Sequence, residues 1–274
     1  MIARYTPRTA LFEGLMWILA LVYLGVPVYL LINVALKGQT DTSPALTPAD
    51  PVTFDNFRTA FLEGNIGQAF VTSLFITVAS VTAVILISAA AAYPLARATR
   101  RWSTITFSVF VAGLVVPAVG VIPLYVTMKN LGLLGSPGAL VLLYVGMNLP
   151  FAILLYTVFL RAVPADYEEA ARIDGAGPIR TFWSVVFPLL RPVTGTIAVL
   201  TVIAIYNDFF TPLLYLNGSS YTTLPLALRN FSSQYTTNWG AIFAGISLGV
   251  LPVLAFYLVL QRNIIKGFAG GLKG

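Results

Sequence analysis

The chain contains no cysteine and no histidine. Without cysteine there is no disulfide framework and no thiolate metal site. Without histidine the commonest general base and the commonest metal ligand are both missing, and serine–histidine chemistry is excluded. Neither a GxxxxGK[ST] phosphate loop nor an HExxH metal motif occurs. Charge is scarce as well. Asp, Glu, Lys and Arg make up 9% of the 274 residues, against about a quarter in soluble domains. What remains is apolar, with 58% hydrophobic residues and a mean hydropathy of +0.85. A single soluble core cannot absorb that much apolar surface, so lipid is the solvent for most of the chain. The net charge of +6 does not point to nucleic acid, because the positive residues sit in short clusters between apolar runs.

Six apolar runs predict six transmembrane helices, over residues 11–36, 70–95, 105–128, 138–160, 193–216 and 241–260. The expected fold is an all-α integral membrane protein with a single transmembrane domain over 1–274. The first run follows a basic segment (Arg4, Arg8), as a signal peptide would. It is roughly twice as long as a signal-peptide core, and no small-x-small cleavage site follows, so it reads as a retained span. The second run carries Ser73, Ser80, Ser88 and the alanines 89–92, small residues that let helices pack closely. Pro117 and Pro123 interrupt the third, and Asn148 and Pro150 lie near the middle of the fourth. Such breaks are tolerated where a helix is buried in protein or lines a cavity. Between the first two runs, 53–58 can start a short amphipathic helix at the interface. The segment 217–239 is polar and aromatic, as at a membrane surface. Residues 261–274 form a basic, glycine-rich tail.

An even number of spans places both termini on one side. That side collects twelve of the 16 Lys and Arg residues, and the other holds only Lys37, Arg58, Lys129 and Arg229. The positive-inside rule makes the first side cytoplasmic. The loop 161–192 lies there and is the most charged part of the chain, with Asp166, Glu168, Glu169, Asp174, Arg161, Arg172, Arg180 and Arg191. Asp166 and Glu169 have capping-box spacing, which predicts a helix from Tyr167. Gly175 can close it in the left-handed conformation. Pro178 suits the first turn of a second short helix, with Phe182, Val185 and Val186 as its apolar face, and Pro188 and Pro192 stop it. The loop therefore reads as two short helices around a 175–177 elbow, exposed to water and shaped to dock a partner. An ordinary connecting loop with a few salt bridges is the plainer alternative.

Glu169-Ala170-Ala171, Gly175 six residues after the glutamate, Phe187-Pro188 and Pro192 resemble the EAA loop of ABC-importer permeases. The run 169–176 is similar to the carbohydrate-uptake branch, although Phe187 stands where that family usually has leucine. Tyr206-Asn207-Asp208-Phe209-Phe210 with Pro212 resembles a stretch of the maltose-transporter G-subunit type. So do Gln261-Arg262, Gly267 and the end 270–274, apart from Gly271-Leu272 in place of Ala-Val. The resemblance implies a type I importer permease with both termini inside, in the cytoplasmic (inner) membrane of a prokaryote. It implies a second homologous permease, a dimer of cytoplasmic ATPase subunits and an extracytoplasmic solute-binding protein as partners. ATP and Mg would be bound by the ATPase, none by this chain, which would be a non-catalytic subunit. Glu169, Ala170, Ala171, Asp174, Gly175, Ala176 and Gly177 would form the coupling element, and Gln261, Arg262 and Lys273 would reach the ATPase. The 217–239 loop would touch the solute-binding protein.

Asp208 is the one acid expected well inside a span, about 20 Å along the helix from Val193. Intramembrane charge usually faces a cavity or a partner. One reading places Tyr206, Asn207 and Asp208 on the translocation path or its gate, with Asn148, Tyr144 and Tyr125 as further candidates. The other has Asp208 snorkelling, or capping a helix broken near Pro212. A sugar or oligosaccharide fits the resemblance as cargo, and a glycerophosphodiester or polyol is the alternative. An ATP-independent channel or scaffold is the alternative from another class, and it would not need the charged loop.

Overall fold

The computed structural model describes residues 7–38, 40–98, 100–115, 120–232 and 237–270, without side chains for 7–11, 115, 253, 255–257 and 259–270. Its contacts divide the chain into two units, 1–67 with 227–251 and 68–226 with 252–274. The described residues are almost all helix, turn and loop; Ser232 and Thr237 form one isolated antiparallel bridge.

The first unit contains α1 (Pro7–Leu36), α2 (Asp55–Glu63) and, later in the chain, residues 227–251. No residue of α1 from Phe12 to Ala20 is covered by the chain itself; Trp17 and Tyr23 are among its most exposed side chains. That suits a helix surrounded by lipid or by another subunit. The segment after α1 is held by hydrogen bonds rather than by an apolar core. Lys37 is 6% exposed, and its ammonium donates to Ser43 Oγ (2.6 Å), Pro44 O (2.7 Å), Ser43 O (3.1 Å) and Thr47 Oγ1 (3.2 Å). A buried ammonium is tolerated only when its protons are all used. Asn33 donates to Ala45 O (2.8 Å) and Thr47 O (2.7 Å) and accepts from Ala49 N (2.9 Å). Asp41, 3.8 Å from Lys37, is held below its ordinary carboxylate value of 3.8 by hydrogen bonds from Ser43 and by the Lys37 charge. A depressed acid contributes above its unfolded value, and that contribution goes as pH falls through the lowered one.

The second unit begins within α3 (Ile66–Arg97) and continues through α4 (Arg101–Val115), α5 (Val121–Asn130) and α6 (Pro137–Ala162). The loop region follows as α7 (Asp166–Ile173), α8 (Pro178–Thr181), a π-turn (Phe182–Val186) and α9 (Phe187–Leu189). Next come α10 (Arg191–Tyr206) and α11 (Phe210–Tyr215). After α12 (Leu224–Leu228) and a 3-10 turn (Arg229–Phe231), α13 runs from Trp239 to Gly270. Buried positions on α3 recur at Ile76, Ser80, Val84 and Ser88, one stripe at four-residue spacing. This stripe bridges two apolar clusters. Val84, Ala89 and Ala92 join Ala152, Tyr156 and Leu160 of α6 in the first. Ile76 and Val81 join Leu140, Leu143, Val202 and Ile205 in the second.

Among the described residues three helices are long and apolar enough to cross a membrane: Phe12–Leu36, Ile66–Arg97 and Pro137–Ala162. A fourth span is available if Pro178–Leu189 and Arg191–Tyr206, bent by 73°, count as one. The expected third span is two helices, α4 and α5; Pro117 lies outside the described residues, and Pro123 sits in the first turn of α5. The expected fifth span breaks between α10 and α11. The second short helix ends between the two prolines, as expected: the helical run Pro178–Leu189 stops before Arg191, and the chain bends by 73° there. Pro188 lies inside that run, beyond the π-turn, while Pro192 occupies the first turn of α10, where a missing N–H costs nothing. The tail also differs from expectation, because α13 stays helical through its glycines to Gly270.

Candidate functional site

The charged loop has the expected shape with a different start. α7 begins at Asp166, not Tyr167, and no side chain caps it. Ala165 is itself helical, and its carbonyl accepts from Glu168 N (2.9 Å) and Glu169 N (3.1 Å). The capping box is therefore unnecessary, and Asp166 instead joins Glu168 and Glu169 in the first turn, where negative charge suits the helix end. The other end closes as a Schellman motif. Gly175 has φ +77, its amide donates to Arg172 O (3.0 Å), and Ala176 N donates to Ala171 O (2.9 Å). Glu169, Ala170, Asp174, Gly175 and Gly177 are exposed, with Ala171 and Ala176 half-buried beside them. Ile173 (87% exposed) and Ile179 (75%) stand on the same loop. A groove of about 570 Å³ is lined by Gly177, Pro178, Ile179, Arg180, Trp183 and Ser184. Two bare isoleucines and a groove beside a helix of small residues form a surface suited to a protein partner.

Glu168, adjacent to the motif glutamate, is the residue that sequence reasoning missed. It is 4% exposed. Arg97 Nε donates to its Oε1 (2.8 Å) and Tyr93 OH to its Oε2 (2.9 Å). Tyr93 and Arg97 are four residues apart, on one face of α3. The pair clamps α7 to the end of α3. Beyond it, Phe182 packs on Tyr93 (5.6 Å between ring centroids), Trp183 (5.0 Å) and Phe187 (6.2 Å). The π-turn over 182–186 supplies the extra residue that brings these rings together.

The second group of candidates gathers around the α10–α11 break. Asp208 is half-buried and lies at that break rather than inside a helix. Its Oδ1 accepts from Phe210 N (2.9 Å) and Thr211 N (3.2 Å), starting α11, while its Oδ2 accepts from Tyr144 OH on α6 (3.0 Å). The capping role is thus present, combined with a tie between two helices. Tyr206 is buried and Asn207 exposed. Asn207 and Asn148 each donate to a carbonyl one turn earlier, Ile203 O (2.9 Å) and Tyr144 O (2.8 Å). Tyr125 reaches the group through Tyr215 (5.9 Å between centroids). Asp208→Ala removes three hydrogen bonds and is expected to destabilise the permease by about 2 kcal/mol. Asp208→Asn, which keeps an acceptor oxygen, should lose less. Thermal unfolding of both variants in detergent checks this, and equal losses would count against the capping role.

Gln261 and Arg262 lie on helical backbone of α13 without described side chains, and Lys273 is outside the described residues. Among the described residues no group of three or more Asp and Glu could hold a metal ion.

Comparison with known proteins places this geometry. The chain is 34% identical over 247 residues to the probable starch degradation products transport system permease protein AmyC of Thermoanaerobacterium thermosulfurigenes, covering 89% of this chain and 90% of that one. It is 31% identical over 253 residues to the melibiose/raffinose/stachyose import permease protein MelC of Bacillus subtilis, covering 91% of each. Its fold matches the crystal structure of a bacterial ABC transporter involved in importing the acidic polysaccharide alginate, with a TM-score of 0.81 at 21% identity, over 95% of this chain and 99% of that one. Residues 83–269, from within α3 almost to the end of α13, match a family described as binding-protein-dependent transport system inner membrane component. The chain belongs to this family of ABC transporter permeases.

Proposed function

We propose that the chain is the permease subunit of an ATP-driven importer that carries a sugar or oligosaccharide delivered by a solute-binding protein. The observation that carries this is the match, over 89% and 91% of the chain, to two permeases whose names assign them to saccharide transport. In this reading six spans cross the cytoplasmic membrane of a prokaryote with both termini inside. α4 with α5 makes the third span, α10 with α11 the fifth, and the apolar part of α13 the sixth. The chain pairs with a second, homologous permease. Two cytoplasmic ATPase subunits bind ATP and Mg, and this chain performs no chemistry itself. The pair of buried Tyr144 and half-buried Asp208, with Tyr206, Asn207, Asn148 and Tyr125 near it, lies beside the translocation path. Gln261, Arg262 and Lys273 reach the ATPase. Reconstitution with the cognate ATPase, second permease and binding protein tests the reading. ATP-dependent uptake of a labelled saccharide is expected, and uptake that ignores ATP would overturn it.

The exposed α7–Gly175–α8 module is the ATPase docking element. Closure of the ATPase dimer draws it sideways and tips the helices from inward- to outward-facing. Gly175 gives a direct test. A Cβ there meets nothing within 4 Å, but the residue sits at φ +77. Asp and Asn tolerate that conformation better than most residues, so both variants should fold. Gly175→Asp adds a negative charge beside Asp174 on the docking face. It is expected to weaken ATPase capture about tenfold, or about 1.4 kcal/mol, while Gly175→Asn retains most of it. Equal capture by the aspartate variant and the wild type would remove the elbow from the interface.

A further inference from the structure

α3 carries a grip at each end. At one end, Tyr93 and Arg97 hold the buried carboxylate of Glu168 on α7. At the other, Ser73 Oγ accepts from Leu224 N (2.8 Å) and Gln68 Nε2 donates to Ser220 O (3.4 Å). Ser73 and Leu224 are each at most 4% exposed, so their bond is buried, while the Gln68–Ser220 bond is exposed. All these residues belong to one unit of the chain. Ser73 and Arg97 are 24 residues apart on one helix, about 36 Å. From Ile76 to Ala92 this stripe is packed into both apolar clusters, which support α3 over most of that length, and Pro94 interrupts the backbone ladder within the inner grip. The inner grip has one further property. Arg97 Nη2 is buried without a hydrogen-bond partner, so the guanidinium has bonding capacity that a shifted α7 can use. A clamp with an unspent donor can settle in more than one arrangement.

We propose that α3 is a strut that carries displacement of α7 to the 217–224 segment at the opposite end, and the reverse. Glu168 and Ser73 are its positioning residues; neither meets the cargo. The inference rests on the reading of α7 as the ATPase docking element, and it adds what lies between that element and the far side of the membrane. It makes the binding-protein side and the ATPase side report to each other through one packed helix, rather than through diffuse rearrangement of the bundle.

The test is a double-mutant cycle in the full assembly, with both permeases, the ATPase dimer and the binding protein in proteoliposomes. The readout is stimulation of ATP hydrolysis by loaded binding protein. Glu168→Gln keeps the size of the side chain but removes its charge. Ser73→Ala removes the acceptor for Leu224 N. Each is expected to cut stimulation, measured relative to that variant's own basal hydrolysis, about fivefold or more. Residues this far apart normally act independently. If α3 is the strut, the Glu168→Gln/Ser73→Ala double variant is no worse than the worse single one, because both break the same connection. If the two losses multiply, or if either single variant leaves stimulation intact, the strut is overturned. Arg97→Lys, which preserves the charge pair, should retain most of the stimulation; a loss equal to that of Glu168→Gln would count against the clamp. Co-purification of the ATPase with each variant separates the two levels. If the wild type fails to capture ATPase, the docking reading fails. Normal capture with multiplying losses overturns the strut alone.

Discussion

Replacing Arg97 with leucine is expected to destabilise the assembled permease by about 3 kcal/mol, the low end of the cost of breaking a buried ion pair. The cause is the partner left behind. The Glu168 side chain is 5% exposed and that of Arg97 22%, so the carboxylate cannot recover hydration when the guanidinium goes. Tyr93 OH still donates to it, but one neutral donor does not compensate for a lost cation. The loss should be asymmetric. Glu168→Leu leaves an arginine that reaches water and should cost less than Arg97→Leu. The Arg97→Leu/Glu168→Leu double variant removes both charges and should recover most of the stability, since a buried pair can be exchanged for apolar packing at little net cost. Thermal unfolding of the four proteins in one detergent measures all three statements. An Arg97→Leu variant as stable as the wild type would mean that Glu168 is hydrated and the clamp is absent. If α7 is the ATPase docking element proposed above, a stable double variant that no longer couples ATP hydrolysis to uptake would separate a mechanical role of the pair from its role in stability.

The clamp also marks the limit of what the sequence discloses. Helix over α1, α3 and α6 is legible because apolar runs of spanning length leave no alternative in lipid. The elbow is legible because a left-handed residue between two short helices calls for glycine, and Gly175 stands between Asp174 and Pro178 with that spacing. Glu168 and Glu169 are indistinguishable in one dimension. Which of two adjacent carboxylates turns inward depends on helical phase, and phase is set here by packing of α7 against Tyr93 and Arg97 of α3. A signal for the inward choice does exist. Tyr93 and Arg97 at four-residue spacing are polar groups on the buried side of an apolar helix, and they imply an acceptor on a facing element. Asp208 illustrates a different limit. Hydropathy carries the fifth span through it, but a carboxylate that accepts from amides two and three residues ahead starts a helix instead of sitting inside one. The prolines are legible in part: the helix ends between Pro188 and Pro192, but a proline forbids only continuation of the preceding hydrogen-bond ladder. Whether the chain then stops or turns is decided by packing, here of Val186, Leu190 and Val193 in one cluster.

Gly240→Ala is expected to destabilise the protein by about 3 kcal/mol or more, although it adds a single methyl group. A Cβ at Gly240 would stand 2.5 Å from Asn56 Cγ and 2.6 Å from Oδ1, distances that no real contact reaches. Asn56 is 2% exposed and cannot swing aside freely. Its amide donates to Lys37 O (2.6 Å) and to Ala35 O (3.1 Å), the carbonyls at the end of α1. The backbone of α13 is equally committed, because Asn238 Oδ1 accepts from Ala241 N (3.0 Å) and fixes the first turn. Overpacking of this kind costs about 1–3 kcal/mol, and a displaced amide leaves two buried carbonyls short of a donor at about 1–3 kcal/mol more. Glycine at 240 is therefore required by the close approach of α2, not by backbone conformation, and the effect should depend on what faces it. Asn56→Ala alone loses the two hydrogen bonds and should cost about 2 kcal/mol. In the Gly240→Ala/Asn56→Ala double variant the new methyl group enters the space the amide vacates. The combined loss should then fall below the sum of the single losses by about 1 kcal/mol or more, the signature of two groups in contact. Additive losses, or a Gly240→Ala variant that unfolds with the wild type, would show that the start of α13 does not press on Asn56.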